Sequence, residues 1–375
     1  MERGWGDVTL SAEDDLVGGL TDMVQQIWKE KGLPEGTINK EVTTEFAKRF
    51  FNGVLKGYGK AGEQFALGKL DYNTPDYNKL ASIQKNCWQF AAAKNYQQLR
   101  ALGNALIGDD GKLRTFSQFK EAAQAINNQQ LNWLKTEYNL AVAGGQMASK
   151  WVDIEKDEDL FPYLEFDAVM DNRTSEICRP LNGTTLPSSD PFWNMYYPPN
   201  HFGCRSTVRQ RGGSYKTTPH HDIPSAEIPP MFRVNLAKEG LVFPPKHPYW
   251  EDIPAGIKDG AMSAIRKELF DNAKERLKGK EVDVPHLGKV GFSNNGLKEI
   301  FNQPHDEYEL KNQLATISNL LLENAKLIKS SPDDKGGSKT YHYLKVKGLS
   351  DKFILVVREN QEGIKTLYSI VDHIK

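Results

Sequence analysis

Trp193-Asn194-Met195-Tyr196-Tyr197-Pro198-Pro199-Asn200-His201-Phe202-Gly203-Cys204-Arg205-Ser206-Thr207-Val208 is the stretch on which the reading of this chain turns. Its two adjacent prolines fix φ and remove two backbone donors, so neither a long helix nor a central strand runs through it. Phe192, Trp193, Tyr196, Tyr197 and Phe202 are too many aromatics for a solvated loop. A long irregular segment of this kind is functional or strongly cross-braced. The same character spreads outward. Of nineteen prolines, thirteen fall between Pro180 and Pro254, which makes this middle region loops, short strands and turns packed over something else.

The sequence before it is of another kind. Phe46, Phe50, Phe51, Val54 and Leu55 recur at helical spacing, and Cys87, Trp88, Ala91 and Ala92 begin a second apolar run toward Leu99, Leu102 and Leu106. Gly108-Asp109-Asp110-Gly111 is a turn. Thr115 and Gln118 stand in capping-box relation ahead of Phe116, Phe119, Ala122, Ala123 and Ile126. Leu131, Leu134 and Tyr138 continue that helix, and Gly144-Gly145 is expected to end it. Around Leu20, Met23 and Ile27 a further helix candidate lies in a segment, 1–36, left unassigned.

After the middle, Met262, Ile265, Leu269 and Leu277 mark a helical connector over 258–280. The last part, 281–375, reads as a self-contained domain. A helix is expected over Asp306 to Lys329, with Leu314, Ile317, Leu321 and Ile328 on one face, then a loop at Asp333–Gly337. Three β-rich runs follow, Thr340–Val346, Lys352–Arg358 and Thr366–Val371. The fold class is therefore α+β: a helical N-terminal half, a Pro-rich middle, and a small C-terminal α+β domain in which a helix precedes an antiparallel sheet.

Composition bounds the function. Of the 375 residues 39% are hydrophobic and 26% charged, enough apolar material for real cores, which argues against a disordered chain. Lys+Arg 48 against Asp+Glu 49 leaves a net charge of −1, which excludes a whole-protein polyelectrolyte role but not a local basic face. Three cysteines make no disulfide framework, which fits a reducing compartment. The opening residues show no secretory signal pattern, and no uncharged run suits a membrane span, so no membrane partner is expected.

Two chemistries are open in the middle region. Cys178, His201 and Cys204 are soft or borderline ligands, and a tetrahedral zinc site would take a fourth from Asp171, His220 or His221. The competing reading makes Cys178 and Cys204 buried small residues, or a pair, with His201 satisfying loop backbone. The latter reading is favoured, so no cofactor is assigned and zinc stays the secondary alternative.

Asp171, Arg173, Thr174, Cys178, Leu181 and Gly183, followed by Trp193 to Arg205 with Pro198, Pro199, His201 and Cys204, resemble the signature of the phage Mu F-like minor head proteins, or head morphogenesis proteins. The resemblance covers roughly Lys79 to Arg211, within a domain placed at 37–257. Relatives often carry further Cys or His near the first half, where Leu181 and Arg205 stand here. The resemblance implies a few copies per virion, portal and capsid partners at the portal vertex, a role in head assembly or DNA packaging, and no catalysis. The chain would be found in the virion or the bacterial host cytoplasm.

The C-terminal domain has its own candidates. RNA cleavage through the 2′-hydroxyl needs a base, an acid and charge stabilisation at phosphorus. His305, just before a helix, could be the base, with Arg358 and Ser369 completing the site and His342 and His373 as alternatives. Eight basic against three acidic residues from Lys326 to Arg358, among them Lys339, Lys345 and Lys347, suit an RNA or DNA partner. The helix-then-strands order, the His and Tyr368-Ser369 resemble the barnase/EndoU/colicin/RelE-like nucleases over about Val282 to Lys375. That resemblance implies a metal-independent ribonuclease and an immunity protein as partner. The alternatives are a purely structural head protein with a non-catalytic binding domain, or a toxin that uses the head domain for delivery.

Overall fold

The computed structural model describes residues 10–32, 36–332 and 338–374. The chain forms two compact units, one from residues up to 63 with 82–264, the other from 64–81 with 265–375. The expected Asp333–Gly337 loop lies outside the described residues. Among the described residues no helix is long and apolar enough to cross a membrane.

The first unit begins with α1 (Leu10–Glu30), whose Leu20, Met23 and Ile27 are buried. In α2 (Lys40–Tyr58) the Asn39 side chain accepts the Val42 N–H at 2.9 Å, satisfying a donor left free by helix geometry. Phe46, Phe50 and Val54 face inward from it and are fully buried. A short α3 (Lys60–Ala66) precedes α4 (Pro75–Asn104), a helix that carries residues of both units. Cys87, Trp88, Ala91, Ala92, Leu99 and Leu102 form its inner face, as their spacing implies.

The Thr115–Gln118 capping box forms as read. Gln118 Oε1 accepts the Thr115 N–H at 2.9 Å, and Thr115 Oγ1 accepts the Gln118 N–H at 3.4 Å. It opens α5, which runs without a break for 41 residues, Phe116–Lys156. Gly144 and Gly145 do not end that helix, and the reason is packing. A Cβ at Gly145 would strike the Val54 carbonyl of α2, and one at Gly57 the Val142 carbonyl of α5. These glycines let the two helices approach backbone to backbone, and the packing gained outweighs the roughly 1 kcal/mol of helix propensity each gives up.

The Pro-rich middle is held onto these helices by side chains that answer its backbone groups. Asn86 Oδ1 accepts the N–H groups of Val242 (3.0 Å) and Phe243 (2.8 Å), and Phe243 stacks on Phe90 with centroids 3.9 Å apart. Three strands, β1 (Tyr163–Asp167), β2 (Thr185–Pro187) and β3 (Thr207–Arg211), form an antiparallel sheet in the order β2-β1-β3. Alternation sorts its faces: Leu164, Phe166 and Val208 are fully buried, while Glu165 pairs with Arg211 and Asp167 with Arg209 on the other side.

The second unit receives α7 (Gly256–Leu277), which again carries residues of both units and follows the five-residue α6 (Phe192–Tyr196). Beyond α7 come β4 (Glu281–Val284), β5 (Gly288–Gly291), α8 (Asn294–Asn302), α9 (Tyr308–Ala315), α10 (Ser318–Glu323), β6 (Ala325–Pro332), β7 (Thr340–Val346), β8 (Ile354–Glu359) and β9 (Lys365–Val371). The sheet order is β4-β5-β9-β8-β7-β6, with β5 and β9 parallel and the other neighbours antiparallel. The expected meander β7–β8–β9 is present as half of a larger sheet.

One helix is shorter than the sequence suggested. Asp306–Lys329 is not one helix but α9 and α10 followed by β6. Leu314, Ile317 and Leu321 are buried as read, whereas Ile328 is 42% exposed on the strand. From Ala325 onward pairing with β7 (Ala325↔Val346, Lys326↔Lys345) supplies the backbone partners, and tertiary pairing overrides a helical apolar spacing.

Candidate functional site

The two halves of the central motif meet at the C-terminal end of α5. Trp193 is 1% exposed, and its Nε1–H donates to the Pro187 carbonyl at 2.9 Å. Tyr197 is fully buried, stands edge-on to Trp151 at 4.8 Å and donates its hydroxyl to the Met147 carbonyl at 2.9 Å. Pro198-Pro199 is a cis peptide, Asn200 is buried with its Nδ2 on the Tyr196 carbonyl, and Gly203 takes the left-handed φ of 72°. From α5, Lys150 Nζ donates to the Val208 carbonyl (2.6 Å) and to Thr207 Oγ1 (3.0 Å). The segment is cross-braced.

The first half, Asp171 to Gly183, is tied to the second by charge. Arg205 grips Asp171 with two parallel bonds of 2.8 and 2.6 Å, the strong bidentate geometry. That guanidinium, with the Arg173 N–H, holds the Asp171 carboxyl well below the usual carboxylate range.

Cys178, His201 and Cys204 converge beside this pair, their ligand-bearing atoms all within 4.8 Å of one another. Cys178 Sγ lies 3.8 Å from Cys204 Sγ and 3.4 Å from His201 Nε2, and Ser175 Oγ lies 2.9 Å from that nitrogen. All three cysteines are free. The hydrogen bond from Cys204, helped by His201 and Ser175, lowers the Cys178 thiol to about 4. Cys204 is pushed up by the same partnership and by burial, and Cys178 raises His201. The donors suit a borderline-soft cation such as zinc. None of the fourth ligands considered from sequence joins them. Asp171 is held by Arg205, and His220 and His221 sit exposed on a 3₁₀ turn at 220–222.

In the second unit the nuclease candidates are dispersed. His305 is buried, stacked on Phe353 at 4.9 Å. Its Nε2 meets the Lys352 carbonyl at 2.9 Å and its Nδ1 accepts the Glu307 N–H at 2.9 Å, so both ring nitrogens serve backbone. Arg358 lies over the Tyr368 ring at 4.6 Å, at the other end of β8, about 13 Å along the strand from Ile354. Ser369 is buried opposite Val356 in the register, next to a bulge at Tyr368. The three share no hydrogen bond among the described residues. His342 is instead the connected histidine, with Nδ1 2.9 Å from Ser330 Oγ and Nε2 2.7 Å from Glu359 Oε2. His373 is exposed beside Asp372.

The basic residues do share a face. Lys326 and Lys345 are directly opposite across β6 and β7, and Lys347, also exposed, is two residues on. On the same side of β7 stand Tyr343, with Lys329 over its ring at 5.8 Å, and Tyr341, 6.1 Å from Tyr368. Lys339 is exposed just before β7. Arg358 is paired with Tyr341 in the register. The aromatic component was not singled out in the sequence; the alternation Tyr341, Tyr343, Lys345, Lys347 carried the signal.

Residues 92–209 match the family described as phage Mu protein F like protein, so the chain carries a phage Mu F-like domain, and both halves of the braced motif fall inside it. Over 76 residues the chain is 36% identical to protein F of Escherichia phage Mu, named for capsid assembly, a stretch that covers 20% of this chain and 17% of that protein. Over 61 residues it is 36% identical to the Mu-like prophage FluMu F protein of Haemophilus influenzae, covering 16% and 15%. The chain thus spans about a sixth of each of these relatives. In the C-terminal part the expected nuclease family is not what matches: residues 260–368 match large polyvalent protein-associated domain 3. No solved structure matches the chain.

Proposed function

We propose that this chain is a minor head component of a phage or prophage, acting in head assembly in contact with portal and capsid proteins, in the virion and in the host cytoplasm before assembly. The observation that carries this is the coincidence of the Mu F-like match, 92–209, with the buried motif and its Asp171–Arg205 clasp. The relative named for capsid assembly supports it. Arg205→Glu sets two acids against each other without emptying the core. In the parent phage it is expected to cut the yield of filled particles at least tenfold, and mass spectrometry of purified wild-type virions should find the chain. Normal yields, with the chain absent from virions, refute the reading.

For the second unit the Lys/Tyr face of β6–β7 favours nucleic-acid binding without cleavage. Bases stack on tyrosine rings while lysines neutralise phosphates, a sequence-tolerant combination. Lys326 and Lys345 stand opposite one another, Lys345 held by Asp351 at 2.8 Å, and a phosphate reaching this face would meet both lysines. Fluorescence anisotropy of the full chain with labelled RNA and single-stranded DNA should show affinity falling steeply with salt. Lys326→Ala with Lys345→Ala should flatten that slope by about two counterions; an unchanged slope rejects this face. The narrower reading is RNA cleavage by His305, Arg358 and Ser369, with an immunity protein as partner and delivery as a toxin. Its test is RNA incubated with the chain in chelator, where cleavage abolished by His305→Ala supports it and intact RNA rejects it.

A further inference from the structure

We propose that Cys178 Sγ, His201 Nε2 and Cys204 Sγ are the three protein ligands of one Zn²⁺ whose fourth position is filled by water.

The spacing carries the argument first. With Zn–S near ~2.3 Å and Zn–N near ~2.0–2.1 Å, tetrahedral geometry separates two sulfur ligands by about 3.8 Å and a sulfur from a nitrogen by about 3.5 Å. Here the sulfurs are 3.8 Å apart, and Cys178 Sγ is 3.4 Å from the imidazole nitrogen. Two of the three edges thus already have the length a tetrahedral ion needs, and the third, from Cys204 Sγ to the imidazole nitrogen, lies within 4.8 Å and has to shorten when the ion enters.

The histidine is also prepared for the task. Its Nδ1 lies 2.8 Å from the Phe202 carbonyl, which can only accept, so the proton sits on Nδ1 and the Nε2 lone pair is left to accept, facing Cys178 Sγ at 3.4 Å and the Ser175 hydroxyl at 2.9 Å. An outer hydrogen bond that fixes the tautomer is the usual companion of a metal-binding imidazole. The turn that carries Cys178 is fixed as well: Ser175 Oγ accepts the Cys178 N–H at 3.1 Å.

Ligand type selects the ion. Two thiolates and an imidazole suit zinc, whereas magnesium and calcium take oxygen. Two thiolates and one Zn²⁺ also cancel in charge, which suits cysteines that are only 2% and 8% exposed. Beside Cys178 and His201 a small cavity, lined also by Arg173, Ser175, Arg205 and Ser206, leaves room for that water. No carboxylate joins the cluster among the described residues, and Asp171 is held by Arg205, so no general base stands by a bound water. The ion therefore ties the 175–178 turn to the 201–204 loop, alongside the Asp171–Arg205 clasp. This site does not depend on the assembly reading.

The test is metal analysis of the full chain purified from zinc-supplemented culture. One zinc per chain is expected, lost in Cys178→Ser and in Cys204→Ser and kept in Cys87→Ser. Because a ligand variant can fail to fold, wild-type chain stripped by chelator is also titrated with Co²⁺. Tetrahedral cobalt bands and a thiolate charge-transfer band should saturate at one equivalent and disappear on adding zinc. Three results overturn the proposal: wild type that arrives without metal and gives no cobalt spectrum, metal retained by the Cys178→Ser/Cys204→Ser double variant, or copper in place of zinc. A Cys178–Cys204 disulfide in metal-free protein is a form of the first.

Discussion

Glu137→Ala is expected to destabilise the first unit by about 3–5 kcal/mol, a large share of the roughly 5–15 kcal/mol that holds an ordinary domain folded. Lys94 Nζ lies 2.9 Å from Glu137 Oε2, and the side chains are 0% and 4% exposed. Tyr249 donates its hydroxyl to Glu137 Oε1 at 2.7 Å, while Lys94 also reaches the Gln130 carbonyl at 3.2 Å. Burial already lowers the Lys94 ammonium from its ordinary value, and Glu137 is the group that holds it charged. Removing the carboxylate leaves a cation with no counter-charge in an apolar setting. The pair itself adds little net stability, because desolvation offsets its attraction. Lys94→Met combined with Glu137→Leu should therefore recover most of the loss. Urea denaturation of the three variants measures this, and a double variant no more stable than Glu137→Ala would rule the account out.

Trp193→Ala should cost about 3–5 kcal/mol by the same measurement, from the lost apolar burial and the cavity left behind. It also leaves the Pro187 carbonyl without its 2.9 Å donor. Trp193→Phe separates the two parts: most of the bulk stays and the hydrogen bond goes, for about 1 kcal/mol beyond the change in volume. A Trp193→Ala protein within 1 kcal/mol of wild type would mean the motif is not packed as described.

Local signals were legible where one segment decides its own structure. The Thr115–Gln118 cap, the apolar face of α2 and the three runs that became β7, β8 and β9 are cases in which caps and periodicity suffice. The aromatic content of Trp193–Phe202 likewise announced a braced segment. What was not legible depends on a distant partner. Gly144-Gly145 reads as a stop unless the Val54 carbonyl is known to press against it. Leu327-Ile328 reads as the end of a helix unless β7 is there to pair. Lys94 and Glu137 look like solvated charges on two amphipathic helices, and only their fully buried meeting identifies them. The cysteines and His201 were legible as donors but their convergence was not, since chain separation says nothing of the distance across two folded loops. In the C-terminal unit β4 and β5 escaped because four-residue strands carry too little pattern, and the nine-residue α8 between them and α9 went unread too.

The unbroken α5 has a mechanical meaning. At 1.5 Å per residue its 41 residues make a rod of about 60 Å. One extremity is locked by Thr115; near the other, Met147 and Lys150 hold the motif loops directly. With no proline to hinge it and α2 seated against it through Gly57 and Gly145, the rod holds the motif loops and the Thr115 cap on one continuous element, so neither can shift without the other following.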